Sequence, residues 1–415
     1  MDLDISIGPP REALDVPSAD DGNQADRLHT LGLRYRDRYL QDRAEEDLEQ
    51  AIQYLQKAVD LSPEDGSESA AWLYDLGVAY QSLFRRHEIA IRHLQDAVDR
   101  TPEGHPQRAK RLERLGGAYR ERYIRKGDTA DIDAGLQYSQ EAVHLTSQTE
   151  AMSDYVLRLE ALGMAHEDRY RARADWTDIE TSLWYFQELQ RLTPHNDPRW
   201  PWRLDCVGRV YLTLYQVKGN EVDLHTAIRN IQEGINLISE DDPNWSSQLE
   251  GLSMALLCRF ALTGDDMDLD NAIKYAQKAL DTTPQRLSER VSKLSVLGLC
   301  HEERFLRKNM ASDLDTAIKI HQEALSLTPK DHRARAEKLF LVGGGHWDRC
   351  CRDNNQAYMD TAIRYMQEAL DLTPKNHMMR AERLHALARI YQEQTNLEAA
   401  IPKFQEALEC TAKDD

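Results

Sequence analysis

Three segments of the sequence carry a histidine three residues before an arginine, with acidic residues between them. They are His166-Glu167-Asp168-Arg169, His301-Glu302-Glu303-Arg304 and His346-Trp347-Asp348-Arg349. Histidine titrates near neutral pH, so an imidazole beside carboxylates can act as a general acid or base, and a neighbouring guanidinium can hold an anion. The chemistry that this spacing predicts is a small-molecule site formed by His166, His301, His346, Arg304 and Arg349.

Cysteine and aspartate residues elsewhere suggest metal or thiol chemistry only weakly. Cys300 precedes His301, and Cys350 follows His346 by four residues, but no second pair of ligands accompanies them at a metal-site spacing. The acidic run from residue 265 to 270 resembles a magnesium-binding motif in composition alone. We therefore predict neither a metal nor a cofactor.

The elements that carry these residues recur along the chain. A Leu-x-x-apolar-small signature occurs nine times, and its small residue, called the anchor below, is Gly32, Gly77, Gly116, Gly163, Gly208, Ser253, Gly298, Gly343 and Ala388. A second signature, small-[Ile/Leu], starts at Ala51, Ala90, Gly135, Ser182, Ala227, Ala272, Ala317, Ala362 and Ala400. Anchors lie mostly 45 residues apart, and each interval contains two segments with a helical apolar period. The sequence predicts nine helical hairpins whose helices cross closely at the anchors.

The two signatures resemble the tetratricopeptide repeat (TPR) family. The last unit matches the family spacing, with Leu387-Ala388-Arg389-Ile390-Tyr391 followed by Ala400-Ile401 and Ala407-Leu408. Most other units are longer than the family's repeat of about 34 residues. The resemblance implies an all-α fold, a right-handed α-α superhelical solenoid of about nine helix-turn-helix repeats over residues 24–410. We expect a disordered acidic tail at residues 1–23 and a short C-terminal tail at 411–415.

The first helix of each unit lines a concave groove in TPR proteins, and the resemblance implies that positions −3, +1, +4 and +5 from the anchor face it. Twelve of these positions are acidic: Glu113, Glu160, Asp205, Glu250, Glu167, Glu302, Asp37, Glu121, Asp168, Glu303, Asp348 and Glu393. Four are basic, namely Arg36, Arg120, Arg209 and Arg389, and Phe340 and Trp347 occupy two more. Of these, the predicted binding residues are Glu113, Glu160, Asp205, Glu250, Arg120, Arg209, Glu167, Glu302, Phe340 and Trp347. Such a groove attracts a basic protein or peptide; the alternative is a solvated helix face that carries the chain's general acidity.

A packing role competes with chemistry for the histidines and arginines. Arginine recurs six residues after the anchor, at Arg38, Arg122, Arg169, Arg259, Arg304 and Arg349, where hydrogen bonds between repeats are favoured over anion binding. The three histidines stand at +3, where other units place tyrosine, which favours a partly buried structural histidine. Aspartates four residues before the second signature are predicted to cap the second helices. They are Asp131, Asp178, Asp223, Asp268 and Asp313.

The overall composition excludes several classes of protein. The chain has 71 Asp and Glu against 52 Lys and Arg, a formal net charge of −19, which argues against nucleic acid as a partner. No stretch approaches the roughly 18 to 20 consecutive apolar residues of a membrane-spanning helix. The acidic N-terminal segment lacks the basic and apolar regions of a secretory signal, so we expect a cytoplasmic protein with reduced cysteines.

The lengthened unit looks like the TPR arrays of filamentous and mushroom-forming fungi, which often accompany a caspase-like CHAT protease or a nucleotide-binding signalling domain. That resemblance implies a sensing or scaffolding chain with such a partner domain. We therefore predict a non-catalytic scaffold or sensor that binds a basic protein or peptide in the groove, and leave its oligomeric state open. The alternative is an enzyme, or an accessory protein of a biosynthetic pathway, that holds a small molecule inside the superhelix near the histidines.

Overall fold

The computed structural model describes residues 21–62, 67–83, 86–146, 152–283, 287–375, 377 and 379–411. Residues 21–23 and 411 are helical, and the rest of the two predicted tails lies outside the described residues. The described residues form eighteen α-helices and no strand. In chain order they are α1 Asp21–Asp42, α2 Glu45–Asp60, α3 Ser67–Gln81, α4 His87–Asp99, α5 Arg108–Lys126, α6 Thr129–Thr146, α7 Met152–Arg173, α8 Trp176–Leu192, α9 Trp200–Lys218, α10 Glu221–Asn236, α11 Trp245–Thr263, α12 Asp266–Thr282, α13 Leu287–Lys308, α14 Ala311–Leu327, α15 Arg335–Asp353, α16 Gln356–Asp371, α17 Arg380–Glu393 and α18 Leu397–Thr411.

Each odd-numbered helix and the even-numbered helix that follows it correspond to one predicted hairpin. The chain divides into two compact units, residues 1–124 with 128–165, and residues 125–127 with 166–415. We call them unit 1 and unit 2. In unit 2 each hairpin from α9 onwards packs on the next, and the first helices α9, α11 and α13 also contact one another in sequence. The predicted all-α hairpin array is confirmed, whereas the handedness of a superhelix stays a prediction.

The anchors mark the closest approach of the two helices of a hairpin. A Cβ atom on Gly116 of unit 1 would lie 2.7 Å from the Ser139 hydroxyl oxygen and 2.9 Å from the Gly135 carbonyl oxygen. A Cβ atom on Gly208 of unit 2 would lie 2.6 Å from the Ile231 side chain. Real Cβ atoms do not fit at such distances, so glycine is required by the crossing, as the sequence predicted.

The caps of the second helices differ from the prediction. The side chain of Asp175 accepts a hydrogen bond of 3.0 Å from the Thr177 amide, and Asp175 precedes the helix in an extended conformation. Equivalent caps are formed by Asn220, Asp265 and Asn355, and the Asp128 carboxylate accepts from the Ala130 amide. The assignment of Asp131, Asp178, Asp223, Asp268 and Asp313 as caps was wrong. They lie three residues later, in the first helical turn, because the connection is only two residues long and the helix begins earlier.

Short connections of this kind need a residue in the left-handed conformation immediately after the first helix. Gly219 and Gly264 take that position with φ of 68° and 70°, which glycine adopts without a steric penalty. Ala174 takes it with φ of 57°. The tight connection places the last turn of the first helix directly beside the first turn of the second.

Candidate interaction surface

Pairs of arginine and aspartate join the two helices at the ends of the hairpins. In unit 2, Arg259 Nε donates to Asp268 Oδ2 at 2.7 Å and Arg259 Nη2 donates to Asp268 Oδ1 at 2.6 Å. The same pairing, nine residues apart, is formed by Arg38 with Asp47 and Arg122 with Asp131 in unit 1, and by Arg169 with Asp178 and Arg304 with Asp313 in unit 2. We call these the tip pairs.

The tip pairs correct the expectation that these arginines bond between repeats. All five pairs lie within one hairpin, because the two-residue connection brings the +6 arginine beside the first turn of its own second helix. Arg349 is the exception, since its own hairpin offers Tyr358 nine residues later, and it contacts Asp315 of the preceding hairpin. Each tip pair is a bidentate contact to a buried carboxylate. The two charges also interact favourably with the dipoles of the two helices.

Two of the candidate histidines extend the tip pairs. The Nδ1 atom of His166 lies 2.8 Å from Asp178 Oδ1, and that of His301 lies 3.0 Å from Asp313 Oδ1. Burial works to raise the pKa of Asp178, but the hydrogen bonds from His166 and Arg169 outweigh it and hold that pKa below its usual range. These imidazoles are therefore held by carboxylates within their own hairpins.

The third candidate histidine contacts no carboxylate among the residues that the structure describes. His346 stacks on Tyr358 and Tyr365 with ring centroids 6.2 and 5.9 Å apart. Its pKa is lowered by burial and by the cations of Arg349 and Arg364. The five residues proposed for a small-molecule site are thus engaged in three separate hairpins, which favours the structural interpretation. Among the described residues no group of three potential metal ligands is present, and no helix is both long and apolar enough to cross a membrane.

A second row of polar residues, which the sequence analysis did not consider, joins consecutive hairpins. In some hairpins an arginine five positions before the anchor donates to the threonine of the preceding Leu-Thr-Pro motif or its equivalent. Arg383 donates to Thr373 Oγ1 in unit 2, and Arg111 to Thr101 Oγ1 in unit 1. Thr373 in turn donates to the Ala369 carbonyl at 2.6 Å. The signal was present as an arginine or lysine recurring at −5.

Several of the predicted groove carboxylates are paired by this same row. Glu113 accepts from Arg158 at 3.1 Å in unit 1, and Glu250 lies 3.0 Å from the Lys293 ammonium in unit 2. Glu167 is bound by Arg171. Glu160 and Arg120 of unit 1 are half-buried. The charge of this part of the predicted surface is therefore largely balanced by the protein itself.

The acids of α13 and α15 differ from these. Glu302, Glu303 and Asp348, which we call the acidic patch, form no ion pair with a lysine or arginine among the described residues. Burial raises the pKa of Asp348 to about 6, with Glu302 adding to the shift, and burial and then Glu302 also raise the pKa of Glu303. Glu302 Oε1 lies 3.2 Å from Nε2 of the buried His321. The patch therefore holds unbalanced negative charge.

Two further predicted binding residues lie near the patch on α15. Phe340 and Trp347 are half-buried and pack against a core cluster that includes Met366, Leu384 and Leu387. A Cβ atom on Gly344, between them in sequence, would meet no atom within 4 Å. The α15 helix thus carries two half-buried aromatic side chains, a glycine with open space beside it and Asp348 within a short stretch of sequence.

Asp205 on α9 is the most buried of the predicted binding residues. Its exposed fraction is 3%, and its Oδ1 atom has no hydrogen-bond partner within the described part of the chain. The Arg209 guanidinium approaches Oδ2 only to 3.8 Å. Burial raises the pKa of Asp205 to about 6, with Arg209 opposing the shift and Glu167 and Glu250 adding to it.

Comparisons with known proteins identify the repeat. Two sequence models, both described as Tetratricopeptide repeat, match residues 384–415 and 43–65. The chain is similar to the solved structure of a tetratricopeptide repeat protein from Parabacteroides merdae, at 13% identity over 77% of this chain and 99% of that one, with a TM-score of 0.52. It is similar to the apo form of the quorum sensor NprR from B. thuringiensis, at 12% identity over 97% and 90%, with a TM-score of 0.54. A search of curated proteins found no match.

These matches confirm that the chain contains TPR repeats and has the fold of a TPR-type helical repeat protein. The resemblance on which the sequence analysis relied is confirmed to that extent. Repeats of this type typically serve as protein-interaction scaffolds, since their stacked hairpins present extended surfaces to other proteins.

Proposed function

We propose that this chain is a non-catalytic scaffold or sensor of the cytoplasm that binds a basic segment of a partner protein at the acidic patch of unit 2. The observation that carries the proposal is that, among the residues that the structure describes, no lysine or arginine pairs with Glu302, Glu303 or Asp348. The predicted acids Glu113 and Glu250, by contrast, are matched by cations of the next hairpin. The unmatched acids leave the patch with its charge available to a ligand.

The raised pKa values at the patch have a direct consequence for binding. A carboxylate whose pKa is raised by burial and by a neighbouring carboxylate is held in an unfavourable ionised state at neutral pH. A lysine or arginine from a partner relieves both the lost hydration and the repulsion between Glu302 and Asp348. Electrostatic complementarity of this kind also speeds association and makes it sensitive to salt.

A peptide array tests the proposal through the charge of the ligand alone. Purified protein is incubated with basic, neutral and acidic peptides of equal length at low and high salt. We expect basic peptides to be enriched and their capture to weaken as salt rises. The variant Glu302→Gln/Glu303→Gln/Asp348→Asn is expected to weaken their binding by about tenfold or more.

The matched control removes the same charge from another surface. Glu233, Asp281 and Asp371 are exposed residues of the second helices α10, α12 and α16, and Glu233→Gln/Asp281→Asn/Asp371→Asn lowers the negative charge equally. This control is expected to retain basic-peptide binding. Equal losses in both variants would mean that only the general acidity of the chain matters, and the proposal of a local patch would be rejected.

A further inference from the structure

Asp205 is a buried carboxylate that the fold leaves incompletely bonded. The buried aspartates of the tip pairs receive short hydrogen bonds from arginine, as Asp268 does from Arg259 at 2.6 and 2.7 Å. Asp205 is equally buried, yet its Oδ1 accepts no hydrogen bond. Arg209, one turn later on the same helix, stops 3.8 Å from Oδ2, beyond hydrogen-bond distance.

The neighbouring helix carries a glycine beside Oδ1. Gly251 lies on α11, which contacts α9. A Cβ atom on Gly251 would lie 3.6 Å from Asp205 Oδ1, 3.6 Å from Ile231 Cδ1 and 3.7 Å from Arg209 Cγ. The carboxylate, an aliphatic wall and the stem of Arg209 therefore surround a gap that a methyl group would fill without a clash.

Charged groups of both signs surround this gap. Burial raises the pKa of Asp205, and Glu167 and Glu250 add to that shift, although Arg171 and Lys293 pair with these two glutamates. The Arg209 side chain is 45% exposed and stays beyond hydrogen-bond distance of Asp205. Burial of a carboxylate oxygen that accepts no hydrogen bond costs free energy. A single N–H donor from a ligand removes that cost.

We propose that Asp205 and Gly251 form a subsite for one cationic side chain of the partner, an arginine or lysine whose nitrogen donates to Asp205 Oδ1. The subsite rests on the proposed function, since it assumes a basic partner, and it adds a specific point of attachment to the acidic patch. The helices that carry them, α9, α11 and α13, contact one another in sequence within unit 2, so one extended segment of a partner can run from Asp205 towards Glu302.

Small cations test the subsite independently of any partner. Methylguanidinium and methylammonium, which represent the ends of arginine and lysine, are titrated into the full chain labelled with carbon-13 at the aspartate carboxyls. The Asp205 signal is assigned from its absence in Asp205→Asn. At about pH 7.5, where this carboxyl is ionised, we expect at least one of the two probes to shift the signal saturably and to lower the apparent pKa of Asp205.

A steric variant separates the subsite from general electrostatics. Gly251→Ala leaves every charge in place but puts a methyl group in the gap, and alanine is the better helix former, so the variant is expected to fold. We expect probe binding to weaken by about tenfold or more in Gly251→Ala. Gly117→Ala, at a helical glycine of unit 1 with open space around its Cβ position, is the control that retains it.

The outcomes of the two experiments remain distinguishable. If neither probe shifts the Asp205 signal, or if binding survives in Gly251→Ala, the subsite is overturned even when basic peptides still depend on the acidic patch. If the probes bind as expected but basic peptides are not enriched on the array, the proposed function is rejected. The cation site is then still supported by the probe titration.

Discussion

The guanidinium of Arg259 donates two hydrogen bonds of 2.7 and 2.6 Å to the carboxylate of Asp268 across the tip of one hairpin. The arginine lies about one turn before the end of the first helix and the aspartate lies in the first turn of the second, so each charge is near the helix end that it stabilises. The pKa of Arg259 is raised by the hydrogen bond to Asp268. The pair recurs nine residues apart in five hairpins, so the same contact joins the two helices at each of these tips.

Removing the carboxylate from a tip pair is expected to destabilise the protein. Asp268→Asn leaves Arg259 with a neutral partner beside a buried position, and we expect the free energy of unfolding to fall by about 1 to 3 kcal/mol. The matched control is Asp223→Asn, because Asp223 occupies the same repeat position in a hairpin where Leu214 replaces the arginine and the carboxylate is only half-buried. Its effect should stay within about 0.5 kcal/mol. Urea denaturation of both variants checks the difference, and equal losses would contradict the role of the pair.

The contacts between hairpins predict a second effect. Thr373 accepts from the buried Arg383 and donates to the Ala369 carbonyl at 2.6 Å. Thr373→Val removes the acceptor and leaves Arg383 short of a partner, which should lower the free energy of unfolding by about 1 to 3 kcal/mol. It should also reduce the steepness of the denaturation curve, since neighbouring hairpins would unfold less cooperatively.

A neighbouring threonine provides the control for this substitution. Thr361 also donates to a carbonyl one turn back, that of Ala357 at 2.8 Å, but no arginine of the described ranges donates to it. Thr361→Val is expected to change the free energy of unfolding by less than about 0.5 kcal/mol. If it were as damaging as Thr373→Val, the loss would reflect the hydrogen bond from threonine to the carbonyl and not the contact between hairpins.

The repeats made most of the fold predictable from sequence alone. Nine leucine-anchored signatures at a nearly constant spacing require nine similar hairpins, and the closeness of the Gly116 and Gly208 crossings follows from the residue type. The cap assignment failed at Asp178 because an aspartate at the cap and one in the first turn give the same pattern. Only the length of the connection, set by the left-handed Ala174 and the extended Asp175, separates the two.

The charge of the candidate surface was harder to predict for a different reason. The acidic residues at −3 predict a negative surface when they are considered alone. Glu113 and Glu250, however, contact cations that lie about one repeat later in the sequence. The basic residues at −5 would have revealed this pairing. The −5 positions also show no cation for Asp205, because Gln248 occupies that position in the next hairpin. What no pattern revealed was where Arg209 stops and the gap left by Gly251.

Two adjacent glycines of α5 predict opposite effects of the same substitution. Gly116→Ala would force a methyl group against the Gly135 carbonyl oxygen at 2.9 Å, so we expect a loss of about 1 to 3 kcal/mol in the free energy of unfolding. Gly117→Ala meets open space and gains helix propensity, for a stabilisation of about 0.5 to 1 kcal/mol. Thermal unfolding of the two variants gives the comparison. Midpoints that shift in the same direction would contradict the close crossing at the anchor.

Asp205→Asn is expected to stabilise the protein at neutral pH. The pKa of this carboxyl is about 6 in the folded chain, against 3.8 for an ordinary aspartate, so the ionised form is disfavoured by folding. Replacing it removes that penalty, worth about 1 to 3 kcal/mol above pH 6. Little opposes the gain, since Oδ1 accepts no hydrogen bond that the substitution would break.

The pH dependence distinguishes this explanation from a general improvement in packing. Between about pH 6 and pH 4 the folded wild-type chain binds a proton at Asp205 that the unfolded chain does not, so its stability rises relative to the variant as pH falls. The advantage of Asp205→Asn should therefore shrink and vanish near pH 4. Urea denaturation at several pH values checks this, with Asp281→Asn, an exposed control, expected to show no difference at any of them. The cation subsite requires an Asp205 carboxylate whose ionised form is disfavoured by folding. A gain in stability that is the same at every pH would contradict this.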